Sequence, residues 1–290
     1  MTRVRSLFVM LWALQALTAS ADLIDQAGLE LRLDDNLARA ELDRDITSDT
    51  SITATATGGT RYQVGDSDRL KLSFELAATA QRRYVGLNNV SAQLTVSHQH
   101  RFGLGAYAPE LTLSASAGRL QYRDSARTGW LYAANAALHK RFSPRLDMQL
   151  SYGFQMRRAD DDGDRVLQRI PANVFDTSSR HVRIGMNGLL TPRYLVGASY
   201  AVHKGDIVST TLRNFPIFLA SDAIALDEVF GPQRYAYTLT AMTRDVQLSV
   251  SRLVGASASM TLGYQYIDSN AEGGIDYQSN LVRATYLQQF

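Results

Sequence analysis

Leu70-Lys71-Leu72-Ser73-Phe74-Glu75-Leu76-Ala77-Ala78-Thr79-Ala80-Gln81 decides how the rest of the chain is read. Leu70, Leu72, Phe74, Leu76, Ala78 and Ala80 are apolar, and most of the residues between them are polar. Side chains point to alternate faces only in an extended strand, so only a strand gathers the first set on one side. The same division returns at Met148, Leu150, Tyr152, Phe154 and Met156, set against Asp147, Gln149, Ser151, Gly153, Gln155 and Arg157.

Extended along the chain, the rule predicts twelve strands: 27–35, 50–63, 69–83, 90–102, 110–122, 129–142, 146–158, 179–190, 194–211, 234–253, 257–268 and 277–290. Their connections alternate in length. Gly65-Asp66-Ser67-Asp68, residues 103–108, Ser143-Pro144-Arg145, Thr191-Pro192-Arg193 and Val254-Gly255-Ala256-Ser257 are tight and rich in turn formers. The other six, near 36–49, 84–89, 123–128, 159–178, 212–233 and 269–276, are mostly longer and more polar.

The 290 residues include no cysteine, and 45% are hydrophobic and 20% charged, which excludes a disordered chain and a disulfide scaffold. Thiolate catalysis, Cys-ligated zinc and iron–sulfur clusters are excluded with them. Residues 1–21 read as an export signal: Arg3 and Arg5, an apolar stretch from Leu7 to Thr18, then Ala19-Ser20-Ala21 as a cleavage site. The mature chain, 22–290, then carries equal numbers of acidic and basic residues, and no basic field marks it for nucleic acid. It holds no run near the roughly 18 apolar residues of a membrane-spanning helix.

An even strand count, short turns on one rim, longer loops on the other and an export signal together describe an all-β fold, a single antiparallel transmembrane β-barrel. A soluble β-sandwich also alternates, but its strands are usually about 5–6 residues long. Several here run to 12 or more, enough for the roughly 9–11 residues of a tilted strand crossing hydrocarbon. In lipid an open sheet edge leaves N–H and C=O groups without partners, so the sheet must close.

On these features the chain resembles the Gram-negative outer-membrane β-barrel proteins, porin-like in outline, over essentially all of 22–290. The likeness includes the last strand, where Val282, Ala284, Tyr286 and Phe290 alternate up to a terminal aromatic. Gln288 departs from that pattern, at a place usually given to an aromatic or aliphatic residue. The resemblance implies insertion by the barrel-assembly machinery, with Tyr286 and Phe290 in its signal. It also implies an outer-membrane location among lipid and lipopolysaccharide.

Aromatic residues fit two interfacial girdles. Phe102, Phe142 and Tyr194 sit beside the short turns, and Trp130, Tyr132, Tyr264, Tyr266 and Tyr277 lie toward the longer loops. If the apolar set faces lipid, the lumen receives Lys71, Glu75, Gln81, Gln93, Gln99, Arg101, His139, Arg141, Asp147, Gln149, Gln155, Arg157, Arg183, Asn187 and Arg283. Basic residues outnumber acidic ones in that set, and a water-filled pore lined this way favours anions. The same residues would equally suit a filled lumen, cross-braced by Arg–Glu and Arg–Asp pairs.

Two loops stand apart. Asp160-Asp161-Asp162-Gly163-Asp164 has carboxylates for a hard cation but lacks the closing Glu of an EF-hand, which favours a solvated charge cluster over a metal site. Residues 213–233 carry Phe215, Phe218, Leu226 and Phe230 among other apolar side chains, too many for a solvated loop. They are expected to fold over the mouth, to constrict it, or to contact a partner or lipid. A change of alternation phase between Leu239 and Val246 suggests a bulge or a segment outside the membrane.

Enzyme readings find little support. Ser97 and His98 fall on opposite faces; Ser179 and His181 share one but lack an identifiable third partner. His98 and His100 share a face as half a metal site without a third ligand. The chain is therefore expected to be a non-enzymatic barrel without a cofactor, passing small polar solutes, anions among them. The alternatives are a non-conducting surface protein with a packed lumen and, at lower weight, an enzyme acting on outer-leaflet lipid.

Overall fold

The computed structural model describes residues 24–290. The expected signal, 1–21, and the mature start at Asp22 lie outside the described residues. Twelve long strands make the wall: β1 (Gln26–Asp34), β2 (Asp49–Gln63), β3 (Asp68–Gln81), β4 (Asn89–Arg101), β5 (Glu110–Tyr122) and β6 (Gly129–Ser143), then β7 (Leu146–Ala159), β8 (Thr177–Thr191), β9 (Tyr194–Leu212), β10 (Arg234–Leu253), β11 (Ala258–Ala271) and β12 (Ile275–Gln289). Each pairs antiparallel with its neighbours in sequence. The ring closes where β1 meets β12, from Gln26 opposite Gln289 to Asp34 opposite Leu281. Every wall strand thus has a partner on both sides, as lipid demands.

The outer face is a belt of exposed apolar side chains. Leu72 is 39% exposed and Leu150 52%, with Leu31, Val96, Leu113, Ile184, Leu248 and Leu262 exposed around the ring. A soluble protein does not leave so continuous an apolar surface to water. The register slips at Arg141/Ser143 in β6 and at Tyr194/Leu195 in β9, both beside short turns.

Six loops join the strands on the opposite rim: L1 (35–48), L2 (82–88), L3 (123–128), L4 (160–176), L5 (213–233) and L6 (272–274). L6 is three residues, not the eight expected from sequence. Gly273 and Gly274, both at positive φ, make a tight turn, and the two strands run up to it with Ala271, Ile275 and Tyr277 buried.

β9 and β10 are the longest strands, at 19 and 20 residues. β9 leaves β8 at Gly205, whose ladder partner is Ser179. A Cβ at Gly205 would lie 2.2 Å from the Ser178 carbonyl oxygen, so only glycine permits the approach there. Beyond it, β9 and β10 continue as a two-stranded extension. Two short loop strands widen this extension: Ala223–Leu226 pairs with β10, and Asp164–Arg165 pairs with Ala225 and Leu226.

The phase change expected between Leu239 and Val246 is not a bulge, because β10 pairs with β9 without any register shift. Both faces of the extension are buried instead. Tyr237, Leu239 and Ala241 pack with Ile207, Ile217 and Ile275, while Ala236 packs with Val174, Phe175 and Ala225. With two apolar faces, alternation disappears from the sequence.

Candidate functional site: a capped, arginine-rich lumen

Loops L1 to L5 interlock over the mouth. In L1, fully buried Asp45 accepts hydrogen bonds from Thr211 Oγ1 (2.5 Å) and Arg234 Nη1 (3.1 Å). The Ala38 carbonyl accepts from the Thr210 N–H at 2.8 Å. L1 therefore reaches from β1 to β9, four strands round the ring. In L5, buried Asp227 accepts from Arg127 Nη2 of L3 and from Thr210 Oγ1, both at 2.6 Å. Arg127 also pairs with Asp124 and lies 4.3 Å from the Phe175 ring centroid in L4. Burial opposes its charge, but Asp227 and Asp124 more than offset that and hold the guanidinium above its ordinary value. Phe230 of L5 meets Tyr84 of L2 at 4.8 Å, and Thr238 Oγ1 donates to the Val174 carbonyl of L4 at 2.9 Å.

Beneath this cap lies a cavity of about 520 Å³, lined by Arg39, Arg157, Tyr122, Phe175 and Phe230 among others. Arg39 stands on L1 in a left-handed conformation, φ 51°, uncommon for a residue with a Cβ. Asn36 explains the turn. Its side chain donates to the Ala40 carbonyl (2.8 Å), accepts from the Ala40 N–H (2.9 Å) and donates to the Gln278 carbonyl (2.8 Å), pinning the loop to β12. An asparagine that replaces backbone partners in this way stabilises a tight local turn.

Farther down, a cavity of about 330 Å³ is lined by Gln149, Arg183, Asn187 and Arg283, and one of about 790 Å³ by Lys71, Glu75, Gln93 and Arg61. Arg101 and Gln99 border a small hollow near a short turn, with Arg101 3.8 Å from Glu110. Asp147 lies 3.5 Å from His139 Nε2 and accepts from Asn187 at 3.0 Å. Arg141 is its ladder partner, at the β6 bulge. The structure thus brings Arg183 and Arg283 together, and Lys71 with Glu75, but sets Arg101 and Arg141 apart near the short turns.

The apolar L5 residues divide. Phe230 lines the upper cavity, Phe218 packs on the cap core and Leu226 stands in the short loop strand. Phe215, on the short helix α1 (Phe215–Ala220), is exposed, and Asn214 caps that helix through the Ile217 N–H.

Other expected sites resolve into local pairs. Asp160 receives Arg119, with one contact at 2.6 Å, and Asp162 lies 3.9 Å from Arg165. Among the described residues no three metal-ligating side chains converge. His98 and His100 both reach the same Asp68 oxygen at 2.9 Å. Ser179 forms no described hydrogen bond with His181, whose ring instead lies 5.1 Å from that of His203. Tyr277 is a correction: it does not belong to an outer girdle but is buried in the cap core, because the loops cover the top of β12. Phe102, Phe142, Tyr194, Trp130, Tyr132 and Tyr264 are exposed on the wall, whereas Tyr266 is half-buried. On β12, Tyr286 is exposed and donates to Gln288 Oε1 at 3.0 Å, and Phe290 is exposed at the end.

Sequence reasoning missed Arg39, Asp245 and His203. Asp245 is buried, 3.2 Å from Arg183 and 3.9 Å from His203. The alternation of β10 could have placed Asp245 inward, and Asp34-Asp35-Asn36 signals the turn before Arg39.

No family model and no curated protein matches the sequence. Among solved structures, the chain is similar to an outer membrane channel from Pseudomonas putida F1, with TM-score 0.56 and 12% identity over 92% of this chain and 96% of that one. It also matches the NanC porin (TM-score 0.49, 8% identity, 90% and 99% covered). A third match is the translocator domain of the autotransporter NalP from Neisseria meningitidis (0.45, 11%, 99% and 96%). At such identities only the first likeness bears on the argument, and it bears on the fold. Closed ring, apolar outer belt and that likeness agree: the chain has the twelve-stranded fold of the outer-membrane β-barrels.

Proposed function

We propose that the protein is a porin-like outer-membrane channel for small polar solutes, with a preference for anions. One observation carries the reading. Arg39, Arg157 and Arg283 face cavities of the lumen and form no ion pair among the described residues, whereas Asp245 is matched by Arg183. Lys71 shares its cavity with Glu75 and Arg283 shares the middle one with Glu30, so the cations without a carboxylate beside them, Arg39 and Arg157, are those of the upper lumen. Guanidinium groups in a narrow, low-dielectric channel raise the local concentration of anions and lower that of cations. The neighbour from Pseudomonas putida F1, described as an outer membrane channel, supports the same reading.

The interlocked cap favours a second reading, a non-conducting surface protein whose loops contact a partner. Conductance in planar bilayers separates the two. The channel reading expects small, discrete steps that grow when the cap is loosened by Arg127→Ala. A barrel that inserts and stays silent both with and without the cap contact contradicts it.

A further inference from the structure

Resting on that channel reading, we infer that the cavity under the cap is a binding site for small carboxylates that carry an apolar, planar ring. Its charged and apolar features lie side by side. Two guanidinium groups, Arg39 and Arg157, face it without a carboxylate partner among the described residues. Arg157 is the more telling of the two. One of its terminal nitrogens donates to the Arg127 carbonyl, yet its Nε is shut off from water with no hydrogen-bond partner. That Nε is too enclosed to meet a ligand oxygen, so a carboxylate in the cavity would be received by the terminal N–H groups of the guanidinium.

The other positive and negative groups at the cavity already have partners. Arg127 is held by Asp227 and Asp124. Asp245 is held by Arg183, and Asp206 accepts from the Ser178 N–H and hydroxyl at 2.7 and 3.2 Å. Arg39 and Arg157 are therefore the cations available to a ligand.

The walls around them are not those of a simple electrolyte filter. Arg157 lies 5.2 Å from the Tyr122 ring and 5.8 Å from that of Phe175, and Leu37, Leu87 and Phe230 complete an apolar border. Aromatic faces flanking a guanidinium suit a flat ring bearing its charge at one edge. An inorganic anion or acetate would meet the charge and leave the apolar border unused. A volume of about 520 Å³ lies within the usual range for small-ligand pockets.

Benzoate is the probe, with acetate and benzyl alcohol as the charge-only and ring-only controls. Titration calorimetry on the detergent-solubilised protein, and block of chloride current in planar bilayers, should both rank benzoate well above either control. The pair Arg39→Gln and Arg157→Gln should weaken benzoate about tenfold or more for each group removed, as expected for charge-assisted hydrogen bonds. Heat-dependent gel mobility establishes that each variant still forms the barrel. The inference is overturned if benzoate binds no better than acetate or benzyl alcohol, or if the folded variants bind it undiminished. If instead no current flows but calorimetry still ranks benzoate first and the variants lose it, the channel reading fails and the site stands.

Discussion

The wall and the cap are built from the same chain under opposite rules. A wall strand such as β3 or β7 has lipid on one side and the polar lumen on the other, so each step along it must change polarity. The β9–β10 extension has packed protein on both sides. Ala236, Tyr237, Thr238 and Leu239 are all buried there, and no alternation survives. Stability in the wall comes from closure and from matching each side chain to its solvent. In the cap it comes from ordinary apolar packing around a few buried ion pairs, Arg127 with Asp227 and Arg234 with Asp45.

The largest effect expected from this contrast is Arg127→Ala. It leaves the Asp227 carboxylate buried without its guanidinium, at a cost of about 3–5 kcal/mol. The loss should stay in the cap: proteinase should cut L5 much faster while the heat-dependent mobility shift of the barrel is retained. If the whole barrel unfolds instead, wall and cap are one cooperative unit and the contrast is broken.

Leu150→Arg tests the wall in the same way. A charge on the lipid face costs about 2–4 kcal/mol near the bilayer midplane, whereas Gln149→Arg, one step along on the lumen face, should cost far less. Urea unfolding in lipid vesicles measures both, and equal losses would remove the two-sided wall from the account.

Asp45→Asn should have a smaller effect, about 1–3 kcal/mol, because Asn keeps an acceptor for Thr211 and Arg234 and the guanidinium that loses its anion retains some contact with water. Hydrogen exchange at the Thr210 amide, which donates to Ala38, should accelerate as L1 loosens. Smallest is Asp160→Asn. Its partner Arg119 is on the outer surface against Trp130, and solvent screens the pair, so no change in stability should be detectable.

The same contrast governs what could be read from the sequence. All twelve strands, the closure and the outward placement of residues such as Leu72 and Leu150 follow from a period of two and from turn chemistry. Lys71, Glu75, Arg157, Arg183 and Arg283 were legible as inward residues for the same reason. The cap was not. Its apolar content in L5 could be seen, but not that five loops meet, because contacts such as Asp45 with Thr211 join residues far apart in the chain and leave no local pattern. Tyr277 was misplaced on that account, since an aromatic near a loop reads as a girdle residue until something covers it. Arg39 was hidden because its orientation depends on one side chain, Asn36, holding an L1 turn against β12.

The absence of native cysteine makes the central claim directly measurable, since any thiol introduced is the only one. Single cysteines at Leu72, Ser73, Gln149 and Leu150 in the membrane-inserted protein should be tested with water-soluble thiol reagents, one anionic and one cationic, each scaled to its rate with a free thiol. The account predicts that positions 73 and 149 react, that 72 and 150 do not, and that at 149 the anionic reagent has the larger relative rate. Reaction at 72 and 150 with protection at 73 and 149, or faster cationic labelling at 149, would contradict it.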